Sequence, residues 1–362
     1  MYVVIITSFI ALILTCFDSK NLTRNGMFWG FVMLTTLGVI HYDYGNDYMA
    51  YYHLYNEITK YPLTFDSLTT NELFRDPGWV VLCHLFSYFG GFFTMVAVLN
   101  IIQNVLVYRF IKSNIERTWW PMAIFIYMCN TGLYLMNFSM MRQGLVVCLF
   151  LGIWDLIKNR KWWWALLIMY LCSFIHLSAI ILLPFAFWGY LPKLNGKVWA
   201  IVYGVLLIFL WTSGETLNNI FMSGLSLEEF QEYAATYEDI GTVGPTGIGF
   251  IINLLPFLVA LYYLLTDKTY KDKQNIVLLS LLSFIIAPFA QIIPMVGRIG
   301  IYFTIYNIAA IPIIYRSIKK IELRYGLLSV FIIITLYDYW LFFNQGVYVR
   351  GYYTFHTIFE SM

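Results

Sequence analysis

Apolar runs recur along the whole chain, near residues 1–17, 26–40, 92–112, 118–134, 140–157, 162–175, 177–192, 198–212, 247–266, 274–292, 297–315 and 325–343. A helix crosses the hydrocarbon core of a bilayer in about 20 apolar residues. This pattern predicts an all-α, polytopic integral membrane protein with about 12 membrane segments. Several runs fall short of a full crossing. Pro184, Pro256, Pro288, Pro294 and Pro312 stand in or beside them, so broken and re-entrant helices are expected where freed backbone groups face protein or water. Only 12% of the 362 residues are charged, against about a quarter in soluble chains. That leaves no room for a large soluble module. The expectation is a single transmembrane domain over residues 1–362, with outer loops at about 41–77 and 213–246.

The net charge is +2, so nucleic acid is not an expected partner. The first run, residues 1–17, has no basic stretch before it and reads as a retained span rather than a cleaved signal. Cys16, Cys83, Cys129, Cys148 and Cys172 all lie in apolar stretches without metal-ligand spacing, and read as small buried hydrophobes.

The distribution of lysine and arginine sets the orientation. With the N-terminus outside, the inner loops hold 17 of the 22 basic residues, and Lys60, Arg75, Arg142, Arg298 and Arg350 remain for the outer side. This predicts an even number of crossings with both termini outside. Residues 78–112 must then cross an odd number of times. We read 78–90 as a re-entrant or interfacial helix broken at Gly90-Gly91, followed by one full span. Residues 162–190 must cross an even number of times, because Lys161 and Lys193 both belong inside. A turn within the membrane at "SFIHLSA" satisfies this, with His176 near its apex. The loop 213–246 carries six acids and no lysine or arginine; within it, "SLEEFQEYAATYED" reads as a short amphipathic helix with a Ser226 cap.

The outer side holds the polar groups that carry chemistry. Arg142, in "NFSMMRQGLVVCLF", starts a span and has no acidic residue one turn away on its own helix. Such an arginine marks a functional site or a headgroup anchor. Gln143 and Gly144 beside it favour a pocket. Arg298, in "QIIPMVGRIGIYF", is read at another outer helix start, where backbone N–H groups and a guanidinium together suit an anion. Asp43 and Asp47 are four apart and would share a face if their stretch is helical. They could pair with an arginine, bind a cation or act as a general base. Asp76 precedes Pro77 and is expected to cap the next helix. Tyr44, Tyr48, Tyr51 and Tyr52 fit either an interfacial aromatic belt or a platform for sugars. The topology puts Asp43, Asp47, Asp76, Arg142, His176 and Arg298 near one membrane surface. Two arginines and a histidine at that depth suit a diphosphate, and carboxylates nearby suit activation of a hydroxyl.

The motifs "YGNDYMAYYHLY", "RDPGW", "NFSMMRQGL", "SFIHLSAIILLP" and "GRIGIYF" occur in an order and spacing that resemble the EpsG family of bacterial exopolysaccharide polymerases, of the wider Wzy type. The resemblance covers about residues 1 to 355. Where the family often has an arginine and a glutamate, this chain has His41 and Asp76. The resemblance implies a GT-C-like membrane glycosyltransferase in the bacterial cytoplasmic (inner) membrane, with its active site facing outward. The implied donor is a growing glycan on undecaprenyl diphosphate, and the acceptor is a lipid-linked repeat unit. The acceptor's non-reducing hydroxyl attacks the anomeric carbon with inversion, no metal or other cofactor is needed, and a flippase and a chain-length regulator are implied partners. On this reading Arg142 and Arg298 hold the diphosphate. Either Asp47 or His176 is the general base, and Asp43, Tyr48, Asp76, Gln143 and Tyr302 line the substrate site. A transporter or flippase of lipid-linked oligosaccharide, or a ligase-like transferase, is the competing reading.

Overall fold

The first two apolar runs become α1 (Tyr2–Ser19) and α2 (Gly26–Ile40), packed antiparallel with Gly30 close against Ala11. The structure, a computed structural model, describes residues 1–64, 76–225, 248–266, 273–287, 294–344 and 346–360. It comprises two compact units, residues 1–191 with 332–362, and residues 192–331.

In the first unit the α1–α2 turn is tied by Asp18, whose carboxylate accepts the Met27 N–H at 2.9 Å and pairs with Arg117. At the other end of the helix pair, β1 (His41–Tyr42) runs antiparallel to β2 (His356–Thr357). The Met1 amine donates to the Tyr353 carbonyl at 2.7 Å. Met1 and the segment 353–357 therefore lie at the end of the helix pair away from Lys20 and Arg24. So short a ladder is weak alone. The Tyr44 ring supports it, packing edge-on against Phe138, Tyr352 and Phe355.

Next come α3 (Tyr48–Thr59), α4 (Pro77–Tyr88) and α5 (Gly91–Asn114). The expected break falls where the glycines stand: Gly90 has φ +101° and Gly91 φ +83°, a left-handed region that side chains resist. Twelve residues rise only ~18 Å, so α4 is too short to cross a bilayer. Its first turn meets α3 through Trp79 against Tyr51, and its end leads to Phe92, which packs on Tyr48, Tyr52 and Tyr55. Both ends of α4 thus join the same aromatic layer, the geometry of an interfacial or re-entrant helix.

The run 118–134 is not one helix. It forms α6 (Trp120–Cys129) and then breaks at Asn130, whose side-chain oxygen accepts the Gly132 N–H at 3.1 Å, a local turn that competes with the helix. Then follow α7 (Met136–Ser139), α8 (Met141–Gly152) and α9 (Trp154–Lys158). Buried hydrogen bonds fix α7. The Tyr127 hydroxyl donates to Asn104 at 3.1 Å and accepts from Asn137 at 3.2 Å, while Tyr134 donates to the Leu34 carbonyl at 2.7 Å.

The runs 162–175 and 177–192 together form a hairpin. Its first leg is α10 (Trp162–Ile175) and its return leg is a 3-10 helix, Leu177–Tyr190, with His176 extended between them at φ −152°. The legs close at the base, where Arg160 Nε donates to the Gly189 carbonyl at 3.2 Å and Tyr190 donates to the Arg160 carbonyl at 3.1 Å. At ~1.5 Å per residue α10 rises ~21 Å, whereas 3-10 winding at ~2.0 Å per residue stretches the return leg to ~28 Å. The expected apex at His176 is thus where the chain turns.

The second unit holds α11 (Gly196–Leu225), α12 (Ile248–Thr266), α13 (Gln274–Ile286), α14 (Pro294–Thr304) and α15 (Asn307–Ser317). Helix α11 continues past residue 212, so the segment expected to open an outer loop at 213 is helical to Leu225. The expected amphipathic helix at 226–239 lies outside the described residues. Segments Gly297–Thr304 and Asn307–Ser317 bend by 64° at their break. Here Asn307 Oδ1 accepts from the hydroxyls of Ser280 and Ser283. The chain then runs through α16 (Ile321–Asn344) and α17 (Gly346–Tyr352). Among the described residues, four helices are long and apolar enough to cross a membrane (α1, α5, Gly196–Ser213 of α11, and α16), or five if the bent pair is one span. The chain is an α-helical membrane protein.

Candidate functional site

Asp76 lies at the centre of the polar cluster in the first unit. It occupies the N-cap position of α4 with Pro77 following, as the sequence suggests. Its carboxylate does not cap that helix. One oxygen accepts a hydrogen bond from Arg142 at 2.6 Å, and the other accepts the Leu177 N–H at 3.0 Å. The His176 Nδ1 stands 3.9 Å from the oxygen that Arg142 holds. One carboxylate therefore joins the start of α4, the start of α8 and the apex of the α10 hairpin. The capping expectation is corrected for a physical reason: a guanidinium is a stronger partner for a buried carboxylate than the helix's own N–H groups.

Arg142 is further fixed by Tyr51. Its Nε donates to the Tyr51 hydroxyl at 3.4 Å, and its guanidinium carbon lies 5.4 Å from that ring's centroid. The Tyr51 ring packs edge-on against the buried Trp79. The Asp76 side chain is 7% exposed, while Arg142 and His176 keep 24% and 20%. The carboxylate is buried and both nitrogen bases present an edge. Such a site can orient a guanidinium toward an anion at the membrane surface.

Gly78 allows the hairpin apex to reach Asp76. A Cβ there would stand 2.9 Å from the backbone carbonyl of Phe174. On the face of α10 leading to that apex, Trp164, Leu167, Leu171 and Phe174 form an exposed apolar stripe. Near its start is an apolar cavity of about 600 Å³ lined by Trp163, Trp164, Leu167, Tyr170 and Leu183.

The other sequence candidates fall in distinct places. Asp47 is exposed and immediately precedes α3; its N–H donates to the Ser139 hydroxyl at 3.1 Å, which ties it within three residues of Arg142. Asp43 is exposed with φ +46°. The shared helical face expected for Asp43 and Asp47 does not form, because α3 begins only at Tyr48 and Gly45, at φ +118°, turns the chain between the two acids. Tyr48 and Tyr44 are fully buried, Tyr48 among His41, Tyr42 and Phe92, so neither ring forms a belt or platform at the surface. Gln143 is buried on α8. In the second unit, Arg298 is half-buried and Tyr302 fully buried on α14. Helix α14 starts at Pro294, so Arg298 sits one turn inside it rather than at its start. The sequence reading offers Tyr51 as part of an aromatic belt or sugar platform, not as a partner of Arg142, and it does not single out Trp79, Ser139 or the Leu177 N–H. The four-residue step from Asp47 to Tyr51 along α3 was the available signal for Tyr51.

Among the described residues, no group of three or more histidine, cysteine or acidic side chains is placed to hold a metal ion. Compared with known proteins, residues 26–354 match the family model described as EpsG family. No curated protein and no solved structure matches the chain.

Proposed function

The chain belongs to the EpsG family, whose members are associated with polysaccharide polymerisation in membranes, and on that premise we propose that it is a Wzy-type polysaccharide polymerase. It transfers a growing glycan from undecaprenyl diphosphate onto the non-reducing end of a lipid-linked repeat unit. The observation that carries this reading is the cluster of Arg142, Asp76 and His176 at one end of the bundle. The fuller proposal is a GT-C-like domain of about 12 membrane segments in the bacterial inner membrane. Its termini and active site face outward, and a flippase and a chain-length regulator serve as partners.

In this mechanism the acceptor hydroxyl oxygen attacks the donor's anomeric carbon from the face opposite the diphosphate. The new C–O bond forms as the bond to the diphosphate breaks, and the configuration inverts. The hydroxyl proton passes to a base, either Asp47 or His176. Charge accumulates on the leaving diphosphate, where a preoriented guanidinium is most effective. Arg142 takes this role. Asp76 acts on Arg142 as a positioning residue. The apolar stripe of α10 offers the polyprenyl tail a path that ends beside the headgroup site. Catalysis needs no metal.

The test is reconstitution of the purified protein with a lipid-diphosphate-linked repeat unit, with and without EDTA, read as a polymer ladder. A ladder unchanged by EDTA is expected. Well-folded protein that gives no ladder on its native substrate would overturn the reading.

A further inference from the structure

A charged cavity lies at the end of α5 remote from Phe92 and from the Arg142 cluster. It measures about 360 Å³, and its polar lining includes Arg24, Lys112, Arg117 and Asp18, with Tyr108 and Trp120 beside them. Asp18 is buried and already committed to Arg117 and the Met27 N–H. Three cations against one carboxylate leave a surplus positive charge, carried by the exposed Arg24 and Lys112. Arg117 contributes more than a counter-ion. Its Nε is buried without a hydrogen-bond partner among the described residues, and its guanidinium carbon lies 5.7 Å from the Trp120 ring centroid. Lys112 Nζ is held 3.3 Å from the Tyr108 hydroxyl. A buried donor without an acceptor, beside two exposed cations, fits a phosphate group.

The surroundings select the source of that phosphate. Ile101, Ile102 and Val105 are exposed on α5 and lead along the helix toward Tyr108 and Lys112. Phe28 of α2 is also exposed, its ring centroid 6.2 Å from that of Tyr108. A free anion would use the basic cavity and ignore this apolar rail. A phospholipid uses both, and basic pockets between membrane helices suit anionic headgroups. We propose that this cavity binds the phosphate headgroup of an anionic phospholipid, with the acyl chains lying along Ile101 and Val105 of α5 and across Phe28.

The test uses full-length protein in detergent, titrated with phosphatidylglycerol or phosphatidylcholine and read by native mass spectrometry. Phosphatidylglycerol should bind in preference to phosphatidylcholine. Arg24→Gln with Lys112→Gln should weaken it about 30-fold, since each basic group near an anionic lipid contributes roughly a fivefold effect. The charge-matched pair Lys20→Gln with Arg109→Gln lies outside the cavity and should leave binding unchanged. Arg117 is left intact, because removing it strands the buried Asp18, and melting temperatures of both double variants confirm folding. Equal losses in the two double variants, or equal binding of the two lipids, would overturn the proposal. Displacement of phosphatidylglycerol by inorganic phosphate would overturn it too, by marking a free-anion site.

Discussion

Arg142 and Asp76 are 66 residues apart in sequence, and their side chains meet at 2.6 Å. The carboxylate is buried and the guanidinium keeps one edge exposed. Removing the arginine alone therefore strands a buried charge. Arg142→Ala should lower stability by at most about 3 kcal/mol, the low end for breaking a buried pair, because Arg142 is partly solvated. Adding Asp76→Asn should restore much of that stability and none of the polymer. For polymer formation we expect a loss of about 100-fold or more from Arg142→Ala, typical of removing a donor from a developing anion. Melting curves and ladder assays on the two single variants and the double variant check both statements. Equal melting of Arg142→Ala and wild type would show that the pair does not hold the fold.

Gly78 tests whether the hairpin apex must reach Asp76. An alanine Cβ would press on the Phe174 backbone at 2.9 Å, and backbone cannot rotate away. Gly78→Ala should cost about 1–3 kcal/mol, as overpacking does, and should lower activity by pulling the Leu177 N–H from Asp76. At Gly204 the space is open, and an added Cβ would meet nothing within 4 Å. Gly204→Ala in the middle of α11 should be neutral or stabilise by roughly 0.5–1 kcal/mol. Thermal melting of the two variants side by side gives the contrast.

Uninterrupted apolar runs bounded by polar residues were readable in outline. The boundaries of α2 and α10 coincide with the runs 26–40 and 162–175. The break at Gly90-Gly91 was also readable, since two adjacent glycines supply the left-handed backbone it needs. Winding was not. Leu177–Tyr190 has an apolar pattern that suits 3.0 or 3.6 residues per turn equally, and it took the former. In the site, the sequence placed Asp76, Arg142 and His176 at one surface through topology alone. It could not pair them, because the contacts join three elements with no periodicity in common. Asp76 shows the limit well: its position is that of a cap, and its carboxylate is drawn off by a distant guanidinium. Tyr48 shows another, since an aromatic at a membrane surface and one in a core look alike in composition.

His41 gives the fold a pH dependence. It is buried between Tyr48 and Phe138, and its Nδ1 is 2.8 Å from the Gly38 carbonyl, which only an N–H can satisfy. Burial pushes its pKa down to about 4, against 6.5 when free. The folded state thus holds fewer protons than the unfolded state between these values. Its contribution is complete above about pH 6.5 and is lost as the pH falls toward 4, by roughly 3 kcal/mol in all. In His41→Gln this part of the pH dependence should vanish. Melting temperatures of wild type and variant at pH 7 and pH 4.5 measure the difference; parallel shifts in the two proteins would assign the acid sensitivity to other groups.

The surroundings of Asp47 and His176 favour one assignment of the base, which experiment can check. His176 Nδ1 stands 3.9 Å from the Asp76 oxygen that accepts from Arg142, which favours a role for it at the anion. Asp47 is exposed at the start of α3, held by its backbone to Ser139, with its side chain outside that network. We expect Asp47 to take the proton and His176 to contact the diphosphate. Asp47→Asn should then abolish turnover while leaving donor binding intact. His176→Gln should weaken donor binding and retain measurable turnover at saturating donor. Turnover retained in Asp47→Asn, together with turnover lost and donor binding intact in His176→Gln, would exchange the two assignments.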